Sequence, residues 1–144
     1  MKKAVVMLGL GAALAACTPD HPATTALDAD AKRFEPNPGA GAIYIVRARD
    51  AVFLAGVPVQ LDGQPIASLW RDGYARIDVP PGQHRISCGD TNTAQVVQVA
   101  PAQVAFVEAK LQVGLLAPSC ALQPLDDVSG RERVMSGKRA GPQM

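Results

Sequence analysis

From Val57 to Cys88, apolar and polar residues alternate in short runs broken by glycine, proline and aspartate. Alternation with a period of two predicts strands with one buried face. Val57–Leu61, Gln64–Leu69, Tyr74–Val79 and Gln83–Cys88 are four such runs. Asp62-Gly63 joins the first two, and this pair supplies the positive φ angles of a type I′ hairpin. Pro65 cannot donate a ladder hydrogen bond, which places its strand at a sheet edge or at a strand start. Trp70-Arg71-Asp72-Gly73 and Pro80-Pro81-Gly82 form the second and third turns. Upstream, Ala42–Arg47 sets Ile43 and Ile45 against Tyr44 and Val46, so both faces are expected to be covered. Downstream, Thr93–Val99, Val104–Val113 and Cys120–Leu125 continue the pattern. In Val104–Val113 the alternation turns Ala105, Val107, Ala109, Leu111 and Val113 inward and Glu108, Lys110 and Gln112 toward water. About seven or eight short strands at this spacing predict an all-β fold, an antiparallel β-sandwich over 42–125, with a small barrel as the alternative closure.

The flanks carry different patterns. Met1-Lys2-Lys3 precedes the uncharged apolar run Ala4–Leu14, the layout of a signal peptide over 1–16. The run falls short of the roughly 18 residues needed to span a bilayer. Leu14-Ala15-Ala16-Cys17 resembles the bacterial lipobox, whose cysteine becomes lipid-modified and N-terminal after cleavage. That resemblance implies three acyl chains on Cys17, and two or more are needed for stable attachment. Thr18, rather than aspartate, follows Cys17. By the enterobacterial sorting rule this implies the outer membrane. Residues 17–41 read as a lipidated tether with four prolines, in which Thr25–Arg33 forms a short helix capped by Thr25. Phe34 is expected to pin that tether to the domain. Residues 126–144 read as a C-terminal tail, with a turn or two of helix over Ser129–Met135.

Composition narrows the class of function. Without Lys2 and Lys3, twelve basic and thirteen acidic residues remain, with no basic stripe. Nucleic acid is therefore not an expected partner. Twelve prolines and thirteen glycines against six aromatic residues suit many turns and a core of small aliphatics.

Candidate chemistry is sparse. Once Cys17 is lipidated, Cys88 and Cys120 form an even pair, and in a secreted chain such a pair reads as a disulfide. Two free buried thiols are the alternative. His84 and His21 are the two histidines, too few for a zinc site without converging acids. His84 instead suits closure of the Pro80–Gln83 turn by hydrogen bonding. There is no nucleophile elbow, and no glycine-rich phosphate loop. Asp126-Asp127 is the one adjacent acidic pair, and in an extended strand the two would point apart. No catalytic residue, metal ligand or cofactor is expected. Arg47 and Arg49 beside Asp50 read as an exposed strand end rather than an anion site. Tyr44, Trp70 and Tyr74 are the best candidates for a contact surface, above all Trp70 and Tyr74, since Trp and Tyr often anchor interfaces.

Three segments also carry a resemblance: A-K-R-F-E-P-N-P-G-A-G-A-I-Y-I-V-R, V-Q-L-D-G-Q-P-I-A-S-L and G-Y-A-R-I-D-V-P-P-G-Q-H-R-I. Together they look like the bacterial domain-of-unknown-function family 2846, over roughly Ala31 to Val113. The resemblance implies a transthyretin-like or PEGA-type sandwich and carries no activity. The whole chain thus reads as an envelope lipoprotein lipidated at Cys17, with a non-catalytic binding or structural module facing the periplasm and an envelope protein as its partner. The competing expectation is an envelope enzyme or small-ligand-binding protein whose site forms only in three dimensions, as a pocket gathering His84, Arg76, Asp78 or Asp90.

Overall fold

The computed structural model describes residues 23–49, 55–89, 94–114, 116 and 118–141. The leader, Cys17 and the tether as far as Pro22 lie outside the described residues. Helix α1 (Thr25–Ala31) leads into β1 (Gly41–Arg47), β2 (Val57–Leu61), β3 (Gln64–Leu69), β4 (Gly73–Val79) and β5 (Gly82–Cys88). β6 (Ala94–Val99), β7 (Val104–Gln112) and β8 (Ser119–Leu125) follow, then α2 (Asp127–Ser136) and the two-residue β9 (Lys138–Arg139). The strands form two sheets, one of five in the order β8-β7-β1-β4-β9 and one of four in the order β3-β2-β5-β6.

The expected sandwich is present, and most of its pairings are antiparallel. Two are parallel, β1 with β7 and β4 with β9. After β6 the chain turns back through Ala100–Gln103, with Ala102 in the left-handed region and its N–H donating to the Ala40 carbonyl. β7 therefore starts beside Ala42, where β1 also starts, and the two run the same way. The Asp62–Gly63 hairpin forms as its sequence requires, with φ of 50° and 81°.

Between the sheets lies a core of aliphatic side chains, including Ile43, Ile45, Val57, Val59, Leu69, Ile86, Val99 and Val107. Fully burying each such side chain contributes about 1.5–3 kcal/mol before entropy is counted. A second core covers the other face of the five-stranded sheet. There Tyr44, Val46, Tyr74 and Phe106 pack against Ala31, Phe34 and Val134. β1 is consequently buried along its whole length.

This second core corrects the boundaries drawn from sequence. Residues 126–141 of the expected tail are part of the fold, because α2 packs on β1 and β7 and β9 extends the sheet. Nor is the chain from Ala23 a free tether, since α1 lies on the same outer face. Thr24, not Thr25, caps α1, its hydroxyl accepting from Leu27 N–H. Asp126 caps α2, accepting from the Ser129 N–H at 2.9 Å, so the adjacent acids serve a helix start rather than an extended strand. Phe34 does pin the segment after α1, lying 5.4 Å from the Tyr44 ring with the Arg131 guanidinium 4.5 Å from its own. Glu108 points outward as its position in the alternation demands. It is buried rather than wet, because α2 sets Arg133 3.0 Å from its carboxylate and Gln123 donates to it at 2.7 Å.

Gly130 is where α2 comes closest to the sheet. A Cβ at this position would fall within the Phe106 ring's van der Waals envelope, at Cγ and both Cδ atoms. Alanine gains up to about 1 kcal/mol of helix propensity, whereas overpacking costs about 1–3 kcal/mol. Gly130→Ala is therefore expected to destabilise the protein by about 1 kcal/mol, seen as a lower urea midpoint. A raised midpoint would show that α2 packs less closely than described.

Candidate functional site

Cys88 ends β5 in one sheet and Cys120 lies near the start of β8 in the other, and the two form a disulfide with Cα atoms 5.9 Å apart. The bond joins the sheets covalently across a separation of 32 residues. A loop of that length stabilises by about 3–4 kcal/mol in the chain-entropy account.

Of the three candidate contact residues, Tyr44 and Tyr74 are buried and only Trp70 is exposed. Trp70 lies in the turn between β3 and β4 and is 46% exposed. Its ring packs in part against Gly56, where a Cβ would come within 3.1 Å. Tyr74 is fully buried and forms no contact surface. It sits on the face of β4 that the alternation assigns to water, but α1 covers that face. The Tyr74 hydroxyl donates to the Asp28 carboxylate at 2.9 Å, and the Tyr44 hydroxyl donates to the Ala31 carbonyl at 2.6 Å. Burial pushes the Tyr44 phenol up to about 12 and raises Tyr74 as well, so both remain donors. Burial opposes the charge on Asp28, yet hydrogen bonds from Lys32, the Arg139 N–H and Tyr74 hold its carboxyl below the ordinary value.

The remaining polar candidates are occupied locally. Arg76 donates from Nε and Nη2 to the two carboxylate oxygens of Asp78, at 3.1 and 3.2 Å. It also reaches the Asp30 carboxylate at 3.1 Å and the Glu35 carbonyl at 2.6 Å. The arginine thereby ties α1 and the segment after it to β4. His84 lies apart from this cluster, with Nδ1 2.7 Å from the Asp62 carboxylate and Nε2 2.8 Å from the Pro80 carbonyl. This is the turn-closing role expected of it. Both neighbours are acceptors, so the doubly protonated ring is the matched form. His84, Arg76 and Asp78 thus line no common pocket among the described residues, and Asp90 lies outside them. An open cleft of about 330 Å³ runs beside β6, the start of β7 and the end of β8. Asp127 is the ionisable residue on its wall, and Arg131 lies 2.8 Å from that carboxylate. Among the described residues no three His, Cys, Asp or Glu side chains converge as metal ligands.

One grouping was missed in the sequence. Arg49 donates to the Ser136 hydroxyl and lies 3.8 Å from Glu132, so the end of β1 meets the end of α2. Only the return of α2 along the sheet creates this contact, and nothing in the local pattern of either segment signals it.

Two outcomes follow from this chemistry. Without reductant, Cys88 and Cys120 should resist alkylation, and replacing both with alanine should cost about 2–5 kcal/mol in unfolding. Labelling of both thiols in the unreduced protein would contradict the disulfide. The His84–Asp62 pair should make stability depend on pH. Hydrogen bonds to Asp62 and Pro80 raise His84 above its ordinary 6.5, so its contribution is complete below that pH and is lost as pH climbs through the folded value. The Arg85 N–H and His84 hold Asp62 below its ordinary 3.8, so its contribution is complete above that pH and is lost as pH falls through the folded value. The stability difference between wild type and His84→Gln should therefore peak between about pH 4 and 6.5 and shrink above it, as read by urea unfolding across pH. A difference that does not change with pH would contradict the pairing. No family model, curated protein or solved structure matches this chain.

Proposed function

We propose that this chain is a non-catalytic lipoprotein of the bacterial envelope, anchored by lipid on Cys17 and presenting its β-sandwich in the periplasm as a binding or structural module. The observation that carries this reading is the division of the three cysteines. Cys88 and Cys120 are bonded to each other, which suits an oxidising compartment. Cys17 is the third, and it directly follows an apolar leader in a lipobox-like sequence. Thr18 after it favours the outer membrane. The buried ionisable groups support a non-catalytic role, because Arg76 and Glu108 are engaged in joining helices to the sheet.

Intact-mass measurement of protein from the membrane fraction tests the anchor. Acylation at Cys17 and loss of residues 1–16 are expected, and Cys17→Ser should release the chain from the membrane fraction. An unacylated mature protein cut at another residue would end this reading. Crosslinking in the envelope followed by mass spectrometry would identify the partner of the module.

A further inference from the structure

The described chain begins at one particular end of the sandwich. The Ala23 N–H donates to the Arg139 carbonyl at 3.1 Å, and Arg139 in β9 pairs with Tyr74 at the start of β4. Cys17 is six residues before Ala23. At about 3.3–3.6 Å per residue, those six residues span at most about 20 Å. If Cys17 is in a membrane, the surface nearest Ala23 must stay close to that membrane.

That end is unlike the rest of the molecule. The turn holding Trp70 immediately precedes β4, and the Lys138 N–H donates to the Asp72 carbonyl within it at 2.9 Å. β1 runs antiparallel to β4 and so finishes here, as does β7, which is parallel to β1. The loop between β7 and β8 therefore projects from the same end, carrying Val113 and Leu116, the latter 99% exposed. α2 returns from the far end of β8 and finishes beside Asp72, with Met135 exposed in its last turn. Leu27, exposed in α1, offers its carbonyl to the Arg139 guanidinium at 2.8 Å. Of the seven large hydrophobic residues that are exposed among the described residues, these five share this end, and Val96 and Val128 do not. Among the described residues, exposed Arg71 and Lys138 accompany them beside exposed Asp72, and exposed Arg49 is paired with Glu132.

We propose that this end docks directly on an anionic phospholipid surface, with Trp70 at the headgroup level and Arg71 and Lys138 against lipid phosphates. The inference rests on the reading of Cys17 as the lipidated residue. Exposed apolar side chains with a tryptophan suit the boundary between headgroups and acyl chains. Basic residues near a membrane are drawn to anionic lipid. The short link to the acyl chains makes the docking effectively intramolecular, so a weak contact suffices. A protein partner is the other possible occupant of such an end. The position of the chain entry, with exposed Arg71 and Lys138 beside it, favours lipid.

Trp70 is the chain's one tryptophan, so it reports its own environment. The full-length acylated protein would be reconstituted in phosphatidylcholine vesicles with and without phosphatidylglycerol. Trp70 emission should shift to the blue with phosphatidylglycerol, and lipids brominated on their acyl chains should quench it. Arg71→Glu and Lys138→Glu should each lower the docked-to-undocked ratio by about five-fold, with the acyl mass and circular dichroism unchanged. An acylated protein whose Trp70 stays open to acrylamide and unquenched by brominated lipid would overturn the docking alone. So would charge-reversal variants quenched as strongly as wild type. A mass lacking acyl chains would instead overturn the anchor, and the docking with it.

Discussion

The Asp28 carboxylate is the junction on which the outer half of the structure depends. It accepts from the Tyr74 hydroxyl at 2.9 Å and from the Arg139 N–H at 2.8 Å, and Lys32 lies 2.8 Å away. One side chain of α1 thereby joins a central strand, the last strand and its own helix. The constraint begins with the tyrosines. Tyr44 and Tyr74 are both fully buried, and a phenol left without a partner in an apolar setting is costly. α1 meets that demand twice, through the Ala31 carbonyl and through Asp28. A seven-residue helix is too short to be stable alone in water. It holds its place because the sheet beneath it presents donors that only this helix satisfies.

What could be read from the chain follows from how local each cause is. The strands, the Asp62–Gly63 turn and the role of His84 depend on residues close in sequence or on a period of two. The sandwich was therefore legible. The two helices and the pinning role of Phe34 were legible too, but the packing of the outer layer on the sheet was not, because its causes are distant. Tyr74, Arg76 and Asp78 read as a wet face, and any isolated strand with that sequence would have one. Here Asp30 and Asp78 neutralise Arg76, and α1 covers all three. The packing face of α2 is hidden in another way. Its buried residues are Gly130 and Val134, too few and too small to form an apolar stripe. Gly130 carries no side chain to signal packing, and it lets the helix backbone approach Phe106. β9 is two residues long and has no period to detect.

The edges of the two sheets show a related economy. β3 is an edge strand and holds Pro65, while β8 is an edge strand and holds Pro124. Proline removes a ladder donor, which discourages pairing with another chain. β9 is short, and the Ala23 N–H already meets its Arg139 carbonyl. β6 has neither proline nor charge. Pro65 is where the sequence placed it, but the same reasoning could not assign an edge to β6, since its alternation is that of any half-buried strand.

The two ends of the sandwich are held by different chemistry, and the difference bears on how the molecule would work at a membrane. At the end where the chain enters, the disulfide joins β5 to β8, beside the loop that carries Val113 and Leu116. A covalent link there does not titrate, so the spacing between the sheets is fixed whatever the local pH. At the far end the clamp is ionic. His84 bridges the Asp62 turn to the Pro80 carbonyl, joining the β2–β3 hairpin to the passage from β4 into β5. Raised pH weakens that clamp by deprotonating the ring, which removes one of its two donated hydrogen bonds. Loosening should therefore begin at the end away from the chain entry. The surface proposed to meet lipid keeps its geometry while the opposite turns gain freedom, so the pH-sensitive part of the domain is the part farthest from that surface.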